Sequence, residues 1–457
     1  MANKIDRLGV TRRAVPLLLL SLAVVGVTAG WRTLRGGAEN SAAKDSILES
    51  CRLVLAPTAG DSPIDREISR QQTLLGNSSS PSSSSLSSEA QLERLGWLFV
   101  KKARLSFDAG FYKLAEQCAA CLEARGSRGP ETLLLRAHAL QSLHHFAEAE
   151  TAARELIAVR QRPFDYGVLG DILIDQGKVS EAAAAYQKMV DLRPDLQSYA
   201  RAAHVRWLTG DLSGAIELMN LATAASSPNA PEASAWAFTR RALYQLQRGA
   251  TSDALASCAA ALSLRRDYAP ALFARGRVLL ALNRAADAVV ELQRAAELNP
   301  LPEYRWALAD ALTLAGDREQ SARIESQLAE SLTEDPRTVA VYLATRKKNV
   351  ERAVQLAQQE LTNRGDIFTR DALAWALAAA GRTTEAQQHM DQALAEHTSD
   401  PRLFLHAGVI AALNNDNRQA RRWLDQAAAI QQLLLPSERV LLRDWRARVG
   451  ARNVRNT

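Results

Sequence analysis

The stretch "APALFARGRVLLALNRAADAVVELQRAAELNP", residues 269–300, spaces Ala, Gly and branched apolar residues at helical intervals, with Asn283 near its middle and Pro300 at its end. It reads as two short helices around a turn. If the pattern recurs, the chain is an array, and its function lies on a surface shared by many units. It recurs. Stepping from Ala288 along the chain, Ala115, Ala149, Ala182, Ala215, Ala254, Ser321, Ala353, Ala386 and Ala420 occupy equivalent places, 32 to 34 residues apart save for one interval of 39 between Ala215 and Ala254. Twelve residues before each stand Ala103, Ala137, Gly170, Ala203, Ala242, Gly276, Ala309, Val341, Ala374 and Gly408, all small except Val341.

Two small residues per unit let two helices cross closely. Five residues before the second small residue come Gly110, Gly177, Gly210, Gly249, Gly316 and Gly381, with Asn283 and Asn415 in two further units. These residues tolerate the left-handed conformation that ends a helix. Pro194 and Pro300 stop second helices, and Pro163, Pro270, Pro336 and Pro401 mark other boundaries. The unit is therefore helix, tight turn, helix, break. The segment "AASSPNAPEAS" at 224–234 accounts for the long interval and reads as an extended surface loop.

This pattern resembles the tetratricopeptide repeat, a 34-residue helix-turn-helix module. Residues 164–194, "FDYGVLGDILIDQGKVSEAAAAYQKMVDLRP", carry it most fully, with Tyr166, Leu169, Gly170, Gly177, Ala182, Tyr186 and Pro194 in the usual places. Ten units span about residues 96–434. The unit of Ala353 departs from the pattern at Val341 and Lys348. The resemblance implies an all-α tetratricopeptide-like superhelical solenoid of about ten helix-turn-helix units with a C-terminal capping helix. In such a solenoid the first helices line a concave groove.

Composition agrees with an array. The 457 residues are 47% hydrophobic but only 5% aromatic, too long a chain for one compact core. The 56 basic and 50 acidic residues are interleaved, giving a net charge of +6 without a basic stripe, so no nucleic-acid partner is expected. At the N-terminus, Lys4, Arg7, Arg12 and Arg13 precede an uncharged apolar run from Ala14 to Ala29. Its length falls between a signal peptide and a short signal anchor. The expected organisation is a basic segment (1–13), a transmembrane signal anchor or signal peptide (14–31), a flexible Ser-rich linker (32–88), the repeat solenoid (89–435), and a capping helix with a basic tail (436–457). The cation bias places the N-terminus in the cytoplasm and the repeats outside it.

No nucleophile motif, phosphate loop or paired carboxylates accompanies the seven histidines. Cys118 and Cys121 form an isolated CxxC inside a second helix and read as core thiols. Neither catalytic nor metal residues nor a cofactor are expected. By the resemblance, ligand-contacting residues lie on the first helices: His138, Asp171, His204, Arg277, Asp310, Tyr342 and Trp375, with Trp207, Trp236, Phe273 and Trp306 on neighbouring turns of that face. Such rings anchor bound peptides. The expected function is a membrane-tethered or exported interaction scaffold holding a protein or peptide partner in the groove, anchored to the membrane by its N-terminus. The alternatives are a non-catalytic subunit of a secretion or glycan-processing complex, and an exported binder of extended polymers.

Overall fold

The computed structural model of the chain describes residues 49–77, 85–330 and 335–454. The apolar run 14–29 lies outside these residues, as does Ser78 to Ser84 of the Ser-rich stretch. Among the described residues every regular element is helical, and no helix is long and apolar enough to cross a membrane.

Helix α1 covers residues 49–55, and α2 is Pro63–Asn77. Ten hairpins follow. Their first helices are α3 (Ser85–Ser106), α5 (Pro130–Ser142), α7 (Pro163–Asp175), α9 (Leu196–Leu208), α11 (Pro231–Gln247), α13 (Ala269–Ala281), α15 (Pro302–Ala315), α17 (Pro336–Arg346), α19 (Ile367–Ala379) and α21 (Pro401–Leu413). The second helices are α4 (Gly110–Ala124), α6 (Phe146–Val159), α8 (Val179–Leu192), α10 (Leu212–Ala224), α12 (Thr251–Leu264), α14 (Ala285–Leu298), α16 (Arg318–Glu330), α18 (Val350–Asn363), α20 (Thr383–Ala393) and α22 (Asn417–Ala429). Helix α23 (Pro436–Val454) ends the chain. The protein is an all-α superhelical solenoid.

The small-residue register has a direct physical cause. A Cβ added to Gly170 would lie 2.2 Å from the Tyr186 ring, one on Gly276 2.6 Å from Leu292, and one on Gly408 2.7 Å from Leu424. Each partner is sixteen residues on (170 to 186, 276 to 292, 408 to 424), so a large second-helix residue demands an empty place on the first. Val341 reverses the arrangement: sixteen residues later stands Ala357, and both are buried. The expected departure is thus a redistribution of volume within the hairpin.

The turns follow the sequence with local shifts. Gly177, Gly210, Gly249, Gly316, Gly381, Asn283 and Asn415 all have positive φ. In the first hairpin Phe107, not Gly110, takes that conformation, and Gly110 begins α4. Lys347 and Asn349 take it on either side of Lys348. Prolines mostly open helices: Pro130, Pro163, Pro231, Pro302, Pro336, Pro401 and Pro436 are each a first helical residue, where the missing N–H costs no bond. The insertion before α11 is only partly loop, since α11 has 17 residues against 13 in α9.

The chain divides into two units, Met1–Arg136 and Ala137–Thr457. In the first, residues 49–77 of the expected linker are helical and packed. Val54 and Ile68 are fully buried, and Gln72 donates to the carbonyls of Val54 and Ala56 at 2.9 and 2.7 Å. Cys51 is disulfide-bonded to Cys121. The CxxC cysteines therefore part company: Cys121 is cross-linked, while Cys118 is a buried free thiol. Sequence alone placed Cys51 in a linker, so this pairing was not expected. Asp65, 2% exposed, pairs with Lys102 at 2.8 Å and accepts from Ser62 Oγ at 2.6 Å. The lysine and serine bonds hold its carboxyl below the usual range.

The second unit closes on itself. The α7–α8 turn meets the start of α19 so tightly that a Cβ on Gly177 would lie 2.5 Å from the Gly365 carbonyl oxygen, and one on Gly365 2.8 Å from that of Gln176. One repeat further along, a Cβ on Gly210 would lie 2.8 Å from the His397 carbonyl, and Thr398 Oγ1 donates to the Leu208 carbonyl. Gln247 Nε2 then donates to Ser399 O at 2.6 Å, and Gln432 Nε2 to Gln247 O at 2.7 Å. Arg364 bridges to Asp175. Successive turns of the coil are thus stitched edge to edge across up to 190 residues of sequence.

Candidate functional site

Closure changes what the concave face can offer. The capping helix turns inward: Ser437 N–H donates to Asp310 Oδ2 at 2.8 Å, Trp306 Nε1 donates to Ser437 Oγ at 3.2 Å, and Arg402 Nε donates to the buried Glu438 at 2.6 Å. Most of the expected groove residues are engaged by the chain itself, some by the cap and others by neighbouring repeats. Trp306 and Tyr342 are fully buried and meet edge to face at 5.4 Å. Trp375 stacks on His406 at 4.2 Å and donates to Thr345 Oγ1 at 3.0 Å. Asp310 accepts from Arg346 at 2.9 Å, and burial raises its pKa. Asp171 accepts from Tyr186 and from both Nε and Nη2 of Arg201, at 2.7 to 2.8 Å. His138 is buried, with its ring 6.4 Å from Phe164. Trp236 is 39% exposed and lies away from the space that remains.

What remains is a cavity of about 340 Å³, within the usual range for small-ligand sites. Its walls come from first helices α9 to α21 together with Leu433, so it is the unfilled part of the concave face. His204, Trp207, Phe273 and Arg277, expected from the sequence, are brought together here. Trp207 is the centre of the aromatic wall. It stacks on Tyr244 and on Phe368, each at 5.9 Å, and its indole N–H donates to Gln247 Oε1 at 2.8 Å. Phe273 stacks on Tyr304 at 4.3 Å.

Four guanidinium groups reach the cavity, and they differ in how they are neutralised. Arg402 is paired with Glu438, and Arg337 lies 3.3 Å from Asp366. Arg277 donates to the Leu433 carbonyl and sits 3.7 Å from Glu303, with burial lowering its pKa. Arg240 has no carboxylate within ion-pair distance among the described residues. It rests over the Tyr244 ring at 5.2 Å and donates to its hydroxyl at 3.2 Å. Burial, helped by the Arg240 charge and opposed by Asp171 and Asp366, pushes the His204 imidazole down to about 3. It is a neutral donor–acceptor there.

Two acids on the wall also lack a Lys or Arg partner. Asp371 Oδ1 is hydrogen-bonded to His406 Nδ1 at 2.8 Å, the carboxylate oxygen accepting. Asp400 caps α21, accepting from the N–H groups of Arg402 and Leu403. Burial raises its pKa, Arg402 opposes this, and the neighbouring Asp371 adds to it.

Sequence reasoning missed Arg240, Tyr244, Glu303, Arg337, Phe368, Asp371, Asp400 and Arg402. One signal was available. Glu303, Arg337 and Arg402 each directly follow a proline that opens a first helix, and all three line the cavity. No cluster of three or more His, Cys, Asp or Glu suited to a metal occurs among the described residues.

The tetratricopeptide-repeat family model matches residues 134–196, 168–231 and 372–432. Over these segments the chain is similar to that family. The matches begin inside α5, α7 and α19 and extend over hairpins α5–α6 to α9–α10 and α19–α20 to α21–α22. No curated protein matches the chain. Among solved structures, a human IFIT1 dimer with PPP-AAAA is 12% identical, with 80% of this chain and 89% of that one covered and a TM-score of 0.45. Pseudomonas aeruginosa pilF is 18% identical over 44% of this chain and 90% of its own, with a TM-score of 0.34. YrrB, described as having an unusual peptide-binding site, is 14% identical over 43% and 95%, with a TM-score of 0.30. These are likenesses of fold.

Proposed function

We propose that the protein is an interaction scaffold, tethered or exported through its N-terminal apolar segment, which holds a short segment of a polypeptide partner in the interior cavity. The observation that carries this reading is the wall of Trp207, Tyr244 and Phe368 at a half-buried opening in an otherwise self-filled concave face. Rigid aromatic rings bind a chain segment at little entropic cost. The Cys51–Cys121 bond supports placement outside the cytoplasm, because such bonds persist in oxidising compartments. Alkylation at the moment of cell lysis should find both cysteines oxidised, and free thiols at both would remove that support.

The binding test uses the full chain purified from detergent-solubilised membranes with whatever polypeptide it retains. Trp207→Ala should weaken retention by roughly 2 kcal/mol, about thirty-fold, with helical content unchanged by circular dichroism. Trp236→Ala, outside the cavity, should retain the partner. Equal retention by parent and Trp207→Ala would refute the cavity as the binding face.

A further inference from the structure

Resting on the reading that the cavity is the ligand site, we infer that it is built for a short zwitterion: an ammonium and a carboxylate about two residues apart on an apolar body, the chemistry of a free dipeptide or tripeptide.

The protein leaves part of the charge in this cavity unanswered. Three of the four arginines have a carboxylate of the chain within ion-pair distance, and Arg240 does not. Two acids, Asp371 and Asp400, have no Lys or Arg at ion-pair distance. Had the site been meant for an anion alone, the acids would repel it. Had it been meant for a cation alone, Arg240 would do so. One cation without a carboxylate at ion-pair distance, and two carboxylates held only by a histidine and by backbone N–H groups, stand in a single small cavity and are complementary to a ligand carrying both signs.

The two charge groups are also separated. Gln247 Nε2 reaches the carbonyl of Ser399, the residue before Asp400. Arg240 lies on the same helix seven residues earlier (240 to 247), which is about 10 Å along the axis. An extended dipeptide places its termini roughly 7 Å apart, a span that the long Arg240 side chain can accommodate. Arg240 offers two parallel N–H donors to a carboxylate. Asp371 and Asp400 offer carboxylate oxygens to an ammonium. On the same cavity wall the Trp207 and Phe368 rings stand 5.9 Å apart, centroid to centroid, and offer an apolar surface for a side chain. The neutral His204 beside Trp207 supplies a further hydrogen bond to a peptide group without adding charge.

The test is calorimetric titration of the full chain with three probes: phenylalanylalanine, its N-acetyl form and its C-terminal amide. The free dipeptide should saturate, and each capped form should bind at least about tenfold more weakly, since each leaves one buried charge unanswered. Arg240→Gln should erase the preference for the free carboxylate over the amide while keeping the preference for the free amine. Asp400→Asn should do the converse. The inference is overturned if phenylalanylalanine gives no saturable binding, or if both capped forms bind as tightly as the parent. Because the probes are compared on the unmodified chain, the outcome does not depend on a variant folding. Retention of a polypeptide partner with indifference to all three probes would sink the zwitterion while sparing the scaffold. Saturation by the dipeptide with no Trp207-dependent polypeptide would do the reverse.

Discussion

The two units hold themselves together by different means. In the N-terminal unit, distant segments are fixed by point fastenings, namely the Cys51–Cys121 bond, the buried Asp65–Lys102 pair and the Gln72 bonds to two carbonyls. In the C-terminal unit backbone meets backbone along an edge, at Gly177 with Gly365 and at Gly210 with His397. An open repeat array gains stability only from neighbouring units, so it can fray from either end. Edge-to-edge closure adds contacts between units several repeats apart and couples them. A fastening protects the segment it ties, whereas a seam protects everything it encloses.

Cutting the fastening should give the largest effect. The disulfide spans a sequence separation of 70, for which chain-entropy reasoning assigns about 4 kcal/mol. Cys51→Ser or reduction should therefore raise amide exchange sharply in α1, α2 and α4, and leave the exchange of α19 and α21 unchanged. Equal acceleration in both units would mean that they unfold as one, and the contrast between fastening and seam would fail.

Opening the seam comes next. At Gly177 an added methyl would both force a side chain to φ +76° and strike Gly365 O. Gly177→Ala should cost about 3 kcal/mol from backbone strain and overpacking combined. Gly249 has nearly the same φ, +83°, but nothing within 4 Å of the added carbon, so Gly249→Ala should cost only about 1 kcal/mol. The difference in urea midpoints measures the seam alone. Identical midpoints would show that closure adds nothing to stability.

That seam also marks where the sequence ceased to be readable. The hairpins were legible because their determinants sit sixteen residues apart within one unit and recur: Gly170 with Tyr186, Gly276 with Leu292, Gly408 with Leu424. Gly177 was legible as a turn but not as a contact, since its partner Gly365 lies in a remote repeat and no period links the two. The site divides along the same line. His204, Trp207, Phe273 and Arg277 share the first-helix face and could be placed by counting. Trp306, Tyr342 and Trp375 share it too, yet inward packing of the cap and of later repeats encloses their rings. Cys51 was hidden for another reason: 49–77 follows no repeat register, and its helices are defined by what they pack against.

The smallest expected effect sharpens the comparison from within the cavity. His204 titrates near 3 in the folded protein against an ordinary value of 6.5. The unfolded chain therefore binds a proton at this residue between those limits and the folded chain does not. Stability at this site is complete above pH 6.5 and declines as the solution is acidified below it, by at most about 1.4 kcal/mol per pH unit for one proton. Arg240 contributes to the depression, whereas Asp171 and Asp366 oppose it. His204→Gln keeps a polar side chain but carries no titrating group, and the carboxylates around it are common to both proteins. Melting temperatures followed from pH 6.5 to 4 should fall more steeply for the parent than for His204→Gln, and the two curves should run parallel above pH 7. Parallel curves throughout would mean that water and protons reach His204 freely, and hence that the seam encloses far less than its geometry indicates.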